Sequence, residues 1–187
     1  MKFEVFDNLY YSGNIMLLKN PSIAFFCSRN IPMTLYLPAL ELTTIIMSTN
    51  ITISGSWHST VEQSVLKNRK PESQSNLIIY LAKGIEHYKL PETLNDDYEN
   101  NKILIVSFWQ DTKRISAINS EIRNQFIISK TDKILFLNIN EGGNLNKLFD
   151  QSLALNKKVY ILEHFSNEKW IDQGAFPLSK YNLEEIS

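Results

Sequence analysis

Six short apolar runs, each of strand length and each separated from the next by a segment that reads as helix or turn, constrain this chain more than any other feature. The runs fall at residues 22–26, 51–53, 77–81, 103–107, 134–137 and 159–162. The fourth, Ile103-Leu104-Ile105-Val106-Ser107, is the plainest, because a strand buried on both faces reads as an unbroken aliphatic and β-branched run. Between the runs, Leu35 to Met47 carries apolar residues at helical spacing, with Pro32 and Pro38 confining the helix to the later part. Val61, Val65 and Leu66 share one face of a short helix over 60–67, and a further short helix is expected within 82–100. Residues 116–129 and 145–156 also read as helical, whereas 68–76 is a polar loop containing Pro71.

Strands that alternate with helices in this way pair in parallel through right-handed crossovers, and the helices cover both faces of the sheet. The expected fold is therefore α/β, a Rossmann-like three-layer sandwich with a mostly parallel sheet of about six strands. The chain has 187 residues, 43% of them hydrophobic, which is enough for one sizeable core. Residues 1–163 are expected to form that domain, and 164–187 a tail packed on it through Trp170 and Phe176. In such sheets ligands bind outside the carboxyl ends of the strands, beside the point where strand order reverses. The turns to read are thus 27–29, 54–58, 107–111 and 138–143.

Composition narrows the partners. Lys plus Arg number 19 and Asp plus Glu 20, a net charge of -1, so no global positive field draws in a polyanion and any nucleic-acid site is local. One cysteine, Cys27, allows neither an internal disulfide nor a clustered thiolate site. The three histidines, His58, His87 and His164, stand far apart without partners at zinc-ligand spacing, so neither a metal nor a cofactor is expected. The start of the chain lacks a basic segment followed by an apolar run, and no stretch reaches the roughly 18 apolar residues that span a bilayer. These features point to the cytoplasm and away from the membrane.

Gly55 follows one strand and Gly142-Gly143 another, where glycine lets backbone approach a phosphate or turn into a helix whose N-terminus favours anions; both also serve as plain turn residues. Arg29 lies just past the first strand, and Arg123-Asn124 lies within a helix; a guanidinium grips phosphate through two parallel hydrogen bonds. Trp57 and His58 form an unusual pair in a turn, where Trp57 either stacks on a base or packs in the core. The basic run Lys67-Asn68-Arg69-Lys70 reads as a solvated loop tip. A hydrolytic reading requires His58 as general base with Asp111 or Glu62, but the sequence supplies no Gly-x-Ser-x-Gly elbow. Binding is favoured over catalysis.

Five fragments, in order, resemble the Rossmann-like core of the bacterial DNA-processing protein A family, also called Smf. Leu9-Tyr10-Tyr11-Ser12-Gly13-Asn14, followed by Leu17-Leu18, is similar to that family's lead-in, and Ile23-Ala24-Phe25-Phe26-Cys27-Ser28-Arg29 to its first strand and turn. Ile53-Ser54-Gly55 resembles the start of its Val-Ser-Gly motif, Arg123-Asn124-Gln125 its Arg-Asn-Arg motif, and Gly142-Gly143-Asn144-Leu145 its Ser-Gly-Ser-Leu turn. This chain departs from the pattern at Cys27, where the family has glycine, at Gln125, and after Gly55, where His58 falls at the position of an arginine.

The resemblance implies a homodimeric, non-enzymatic protein that binds single-stranded DNA and passes it to a RecA-type recombinase during DNA uptake. It implies further that Ser28 and Arg29 touch DNA phosphate, that Gly55 and Gly143 open space for the strand, and that Arg123-Asn124 lines the same pocket. The alternative is a nucleotide-binding or nucleotide-sensing domain of the same superfamily. Its phosphoribohydrolase-like site would be degenerate, since Glu141-Gly142-Gly143-Asn144-Leu145 only faintly resembles the Pro-Gly-Gly-x-Gly-Thr turn.

Overall fold

Strand β3 (Ser22–Cys27) lies inside the sheet, and the chain builds outwards from it in two directions. β4 (Thr52–Gly55), β5 (Asn76–Tyr80) and β6 (Ile103–Ser107) add in turn on one side, all parallel. The chain then returns across β3 and adds β7 (Lys133–Asn138) and β8 (Lys158–Leu162) on the other side, again parallel. The order of strands thus reverses at β3, between β4 and β7. The computed structural model describes residues 2–186.

The sheet has nine strands where about six are expected from sequence, with the order β1-β2-β6-β5-β4-β3-β7-β8-β9. The three additions lie at the edges. β1 (Glu4–Phe6) is exposed throughout, and β2 (Leu9–Gly13) pairs antiparallel with β6. β9 (Phe176–Leu178) contains Pro177 and pairs parallel with β8. Edge strands are short and covered on few sides, so they lack the continuous apolar run that marks a buried strand. Residues 164–186 thereby extend the sheet. Trp170 is buried against Phe149, but Phe176, expected as an anchor, is exposed; Leu178 and Ile186 are buried in that stretch instead.

Alternation along each strand sorts the core into two layers. Ile23, Phe25 and Cys27 of β3 face one side with Ile53, Leu77, Ile79, Ile103 and Ile105. Ala24 and Phe26 face the other with Ile78, Tyr80, Leu104 and Val106. Helices α1 (Met33–Met47) and α2 (Thr60–Lys67) cover the first face through Leu35, Ala39, Leu42, Val61 and Val65. A short α3 (Asn95–Glu99) follows β5. On the opposite face, α4 (Ala117–Lys130) contributes Ile127 and Ile128, α5 (Asn144–Ala154) contributes Leu148 and Phe149, and α6 (Glu168–Asp172) contributes Trp170.

Two local expectations are corrected. Helix α1 begins at Met33 and carries Pro38 inside it. The proline falls in the second turn, where it removes one N–H, and the buried stripe of Leu35, Ala39, Leu42 and Ile46 outweighs that loss. Arg69 is also no solvated tip. Its Nε donates to Asp97 Oδ2 at 2.5 Å, Nη1 to Ser75 Oγ at 2.8 Å and Nη2 to the Ser75 carbonyl at 2.6 Å, which ties the loop after α2 to α3. A charge run in sequence cannot reveal a carboxylate that arrives from 28 residues away.

Candidate functional site

At the reversal of strand order, a cavity of about 440 Å³ opens at the carboxyl ends of β3, β4 and β7. Three helices begin at its walls: Ser59, Ser116 and Gly143 are the N-caps of α2, α4 and α5, and all three line the cavity. Ser59 and Glu62 form a reciprocal capping box, and Ser116 Oγ accepts from the Asn119 N–H at 3.0 Å. Gly143 has no side chain to cap α5, and among the described residues the N–H groups of that first turn have no side-chain acceptor. Helix N-termini carry a partial positive charge and favour anions.

Two arginines reinforce that field. Arg29 follows β3 at the rim, is exposed and makes no ion pair among the described residues. Arg123 lies on the second turn of α4 and is only 7% exposed. Its Nε and Nη2 donate to the Asn124 side-chain oxygen at 3.0 and 2.9 Å, while Nη1 has no hydrogen-bond partner among the described residues. Burial lowers the Arg123 pKa to about 10 against the opposing pull of Glu62, and the charge on Arg29 lowers it further. The group stays cationic at neutral pH.

Glu62 is the one carboxylate in this lining, and it is buried. Oε2 accepts from the N–H groups of His58 and Ser59 at 2.9 and 2.6 Å, and Oε1 accepts from Ser56 Oγ at 3.3 Å. Burial raises its pKa; the donors from Ser59 and His58 and the charge of Arg123 pull the other way. The carboxylate therefore holds the backbone of the turn after β4 and does not engage the His58 imidazole. Asp111, the other acid considered for His58, pairs with His87 Nε2 at 2.5 Å. The His58 pKa is lowered by partial burial and by the charges of Arg123, Arg29 and Lys83, so the ring is neutral at pH 7.

Cys27 closes the floor. Burial, reinforced by the charge of Glu62, pushes its thiol up to about 12, and it stays protonated against the hydrogen bonds from Ser59 and Asn138 that lower it. Ser28 is buried, and its Oγ accepts from the Asn140 N–H at 2.9 Å while its own N–H donates to the Asn138 carbonyl at 3.0 Å. It thereby couples the turn after β3 to the turn after β7.

Of the residues singled out from sequence, Ser28, Arg29, His58, Arg123, Asn124 and Gly143 come together around this cavity, and Gly55, Trp57 and Gly142 do not line it. Trp57 is 5% exposed: its ring stacks on Phe25 with centroids 5.4 Å apart, and Nε1 donates to the Ile78 carbonyl at 3.2 Å. It is a core residue held at a φ of +52°, a conformation uncommon for a bulky side chain. Gly55 makes room for that indole, since a Cβ there would sit 3.1 Å from the Phe25 carbonyl oxygen and 3.3 Å from the Trp57 ring. Gly142 takes a φ of +71° in the turn before α5, with open space around it. Sequence reading missed Ser59, Ser116 and Asn140 as lining residues. For Ser59, the spacing to Glu62 was the available signal.

No protein-family model and no curated protein matches the sequence. The fold does have solved counterparts. DNA processing protein A from Streptococcus pneumoniae superposes with a TM-score of 0.76 at 13% identity, covering 95% of this chain and 65% of that one. The chain thus spans just under two thirds of that protein's length. DNA processing protein A from Helicobacter pylori, a protein with a described single-stranded DNA binding mode, superposes at 0.75 with 14% identity, covering 99% and 93%. A molybdenum cofactor binding protein from Rippkaea orientalis follows at 0.58 and 14%, covering 89% and 94%. At these identities the likeness establishes a shared three-layer fold with a mostly parallel sheet. Among the described residues, no helix is long and apolar enough to cross a membrane.

Proposed function

We propose that this chain binds single-stranded DNA without transforming it, holding backbone phosphate in the cavity between Arg29 and Arg123. The observation that carries the reading is Arg123 itself. A guanidinium 7% exposed, with Nη1 unpaired among the described residues and three helix N-termini around it, is arranged for an anion. Arg29 at the rim supplies a second, exposed contact. The single-stranded DNA binding described for the H. pylori counterpart supports a nucleic-acid ligand over other anions. Further parts of the same proposal are a cytoplasmic location, a homodimeric state, and delivery of DNA to a RecA-type recombinase in uptake or recombination.

Fluorescence anisotropy with a labelled oligonucleotide at low salt tests it. Binding is expected for the native chain, with losses of about tenfold or more for Arg29→Ala and for Arg123→Ala. Absence of binding, or indifference to both substitutions, overturns the proposal.

A second reading, a nucleotide-sensing domain, draws on the cavity volume. About 440 Å³ falls within the range of roughly 300 to 1,000 Å³ typical of small-molecule sites. A thermal-shift panel of free nucleotides separates the two, because a ligand selective for the folded state raises Tm.

A further inference from the structure

Behind His58 lies a second, smaller cavity of about 210 Å³ that shares Ser56, His58, Ile115 and Arg123 with the larger one. Its volume is below the usual range for an independent ligand site, so it can serve only as an extension of its neighbour. Its floor is the end of β5 and the residues after it, Ile79 to Ala82, all of them buried. Its remaining wall carries Trp57, Tyr88, Lys83 and Gln63, and no carboxylate lines it among the described residues.

Two side chains there have free polar ends. Neither the Tyr88 hydroxyl nor the Gln63 amide makes a hydrogen bond among the described residues, and Tyr88 presents a partly buried ring. Lys83 is committed: Nζ donates to the His87 carbonyl at 2.7 Å and lies 5.9 Å from the centre of the Tyr88 ring, fixing that wall. An apolar floor, an aromatic face and two uncommitted hydrogen-bonding groups fit a flat heterocycle with a polar edge better than they fit a second phosphate.

We propose that the smaller cavity is a nucleobase subsite, which takes the base of the nucleotide whose phosphate lies against Arg123. This rests on the reading above that the larger cavity holds phosphate. Arg123, which lines both cavities, is then the pivot between backbone and base. Stacking on an aromatic face tolerates any base, whereas the Gln63 amide and Tyr88 hydroxyl allow preference among bases.

The experiment compares a labelled DNA oligonucleotide with an abasic deoxyribose-phosphate oligomer of the same length on the full chain. The abasic oligomer is expected to bind at least about fivefold more weakly. Tyr88→Leu is expected to bring the two probes to the same affinity while leaving the abasic one unchanged, with Gln63→Ala acting in the same direction to a smaller extent. Equal affinity of the native chain for both probes overturns the subsite but leaves the phosphate site standing. This comparison needs no variant to fold. Failure of both probes to bind overturns the subsite and the proposed function together.

Discussion

The Arg123 guanidinium donates two hydrogen bonds to the side-chain oxygen of its neighbour Asn124, which leaves one nitrogen unpaired among the described residues at a cavity lined by both residues. Asn124 is itself buried, so its side-chain oxygen fixes the guanidinium at the cavity wall, where the charge of Glu62 favours its cationic form. Asn124→Leu keeps the volume of the side chain and removes the acceptor. Oligonucleotide affinity measured by anisotropy is expected to fall by about tenfold, as loss of hydrogen bonds to a charged group contributes on the order of 1.5 kcal/mol.

Trp57 is held by packing on two sides. Its indole fills the space beside Gly55 and bonds the Ile78 carbonyl, so Trp57→Ala is expected to destabilise the fold by about 3 to 5 kcal/mol in chemical denaturation. Trp57→Phe, which keeps a ring against Phe25, is expected to lose less stability than Trp57→Ala.

Gly84 sets how closely the segment after β5 approaches the segment after β6. Its N–H donates to the Thr112 carbonyl at 2.7 Å, and a Cβ there would lie 2.4 Å from both the Gln110 oxygen and the Thr112 nitrogen, which are backbone atoms. Gly84→Ala must therefore push the segment after β6 away from the segment after β5. A cost of about 2 kcal/mol is expected, seen as a fall in Tm of about 5 °C, together with weaker oligonucleotide binding through displacement of Ile115 and Ser116.

Glu62 makes stability depend on pH in a definite direction. Burial raises its pKa in the folded protein above the ordinary 4.5, so its contribution to stability is complete below that value and is lost as pH rises through the folded pKa. Glu62→Gln does not titrate there. The variant is expected to gain Tm relative to the native chain on passing from about pH 4 to about pH 8, and to bind oligonucleotide more tightly at the upper end, where it removes a negative charge.

Five of the six central strands were legible because burial on both faces leaves an apolar run, as in residues 103–107, while β4, Thr52-Ile53-Ser54-Gly55, was marked mainly by the glycine that closes it. β1 is fully exposed and β9 contains Pro177, so neither carries that signature. The position of the cavity followed from topology, and Arg29, Arg123 and Gly143 do line it. What each residue does was less legible. Trp57 in a polar turn reads equally as a stacking platform or as core, and only the Phe25 ring opposite decides between them. Arg69 sits in a basic run, yet Asp97 and Ser75 bury it. Such outcomes depend on partners distant in sequence, which local patterns do not encode.

The salt dependence of oligonucleotide binding, for the native chain and Arg123→Ala side by side, tests the central claim most directly. Phosphate held by arginine releases counterions, so log K should fall linearly with log salt, by a slope of about -0.7 for each phosphate neutralised on a single strand. The account predicts a clear negative slope for the native chain and a slope shallower by about 0.7 for Arg123→Ala. A native slope near zero, or the same slope in both proteins, contradicts a phosphate contact at Arg123.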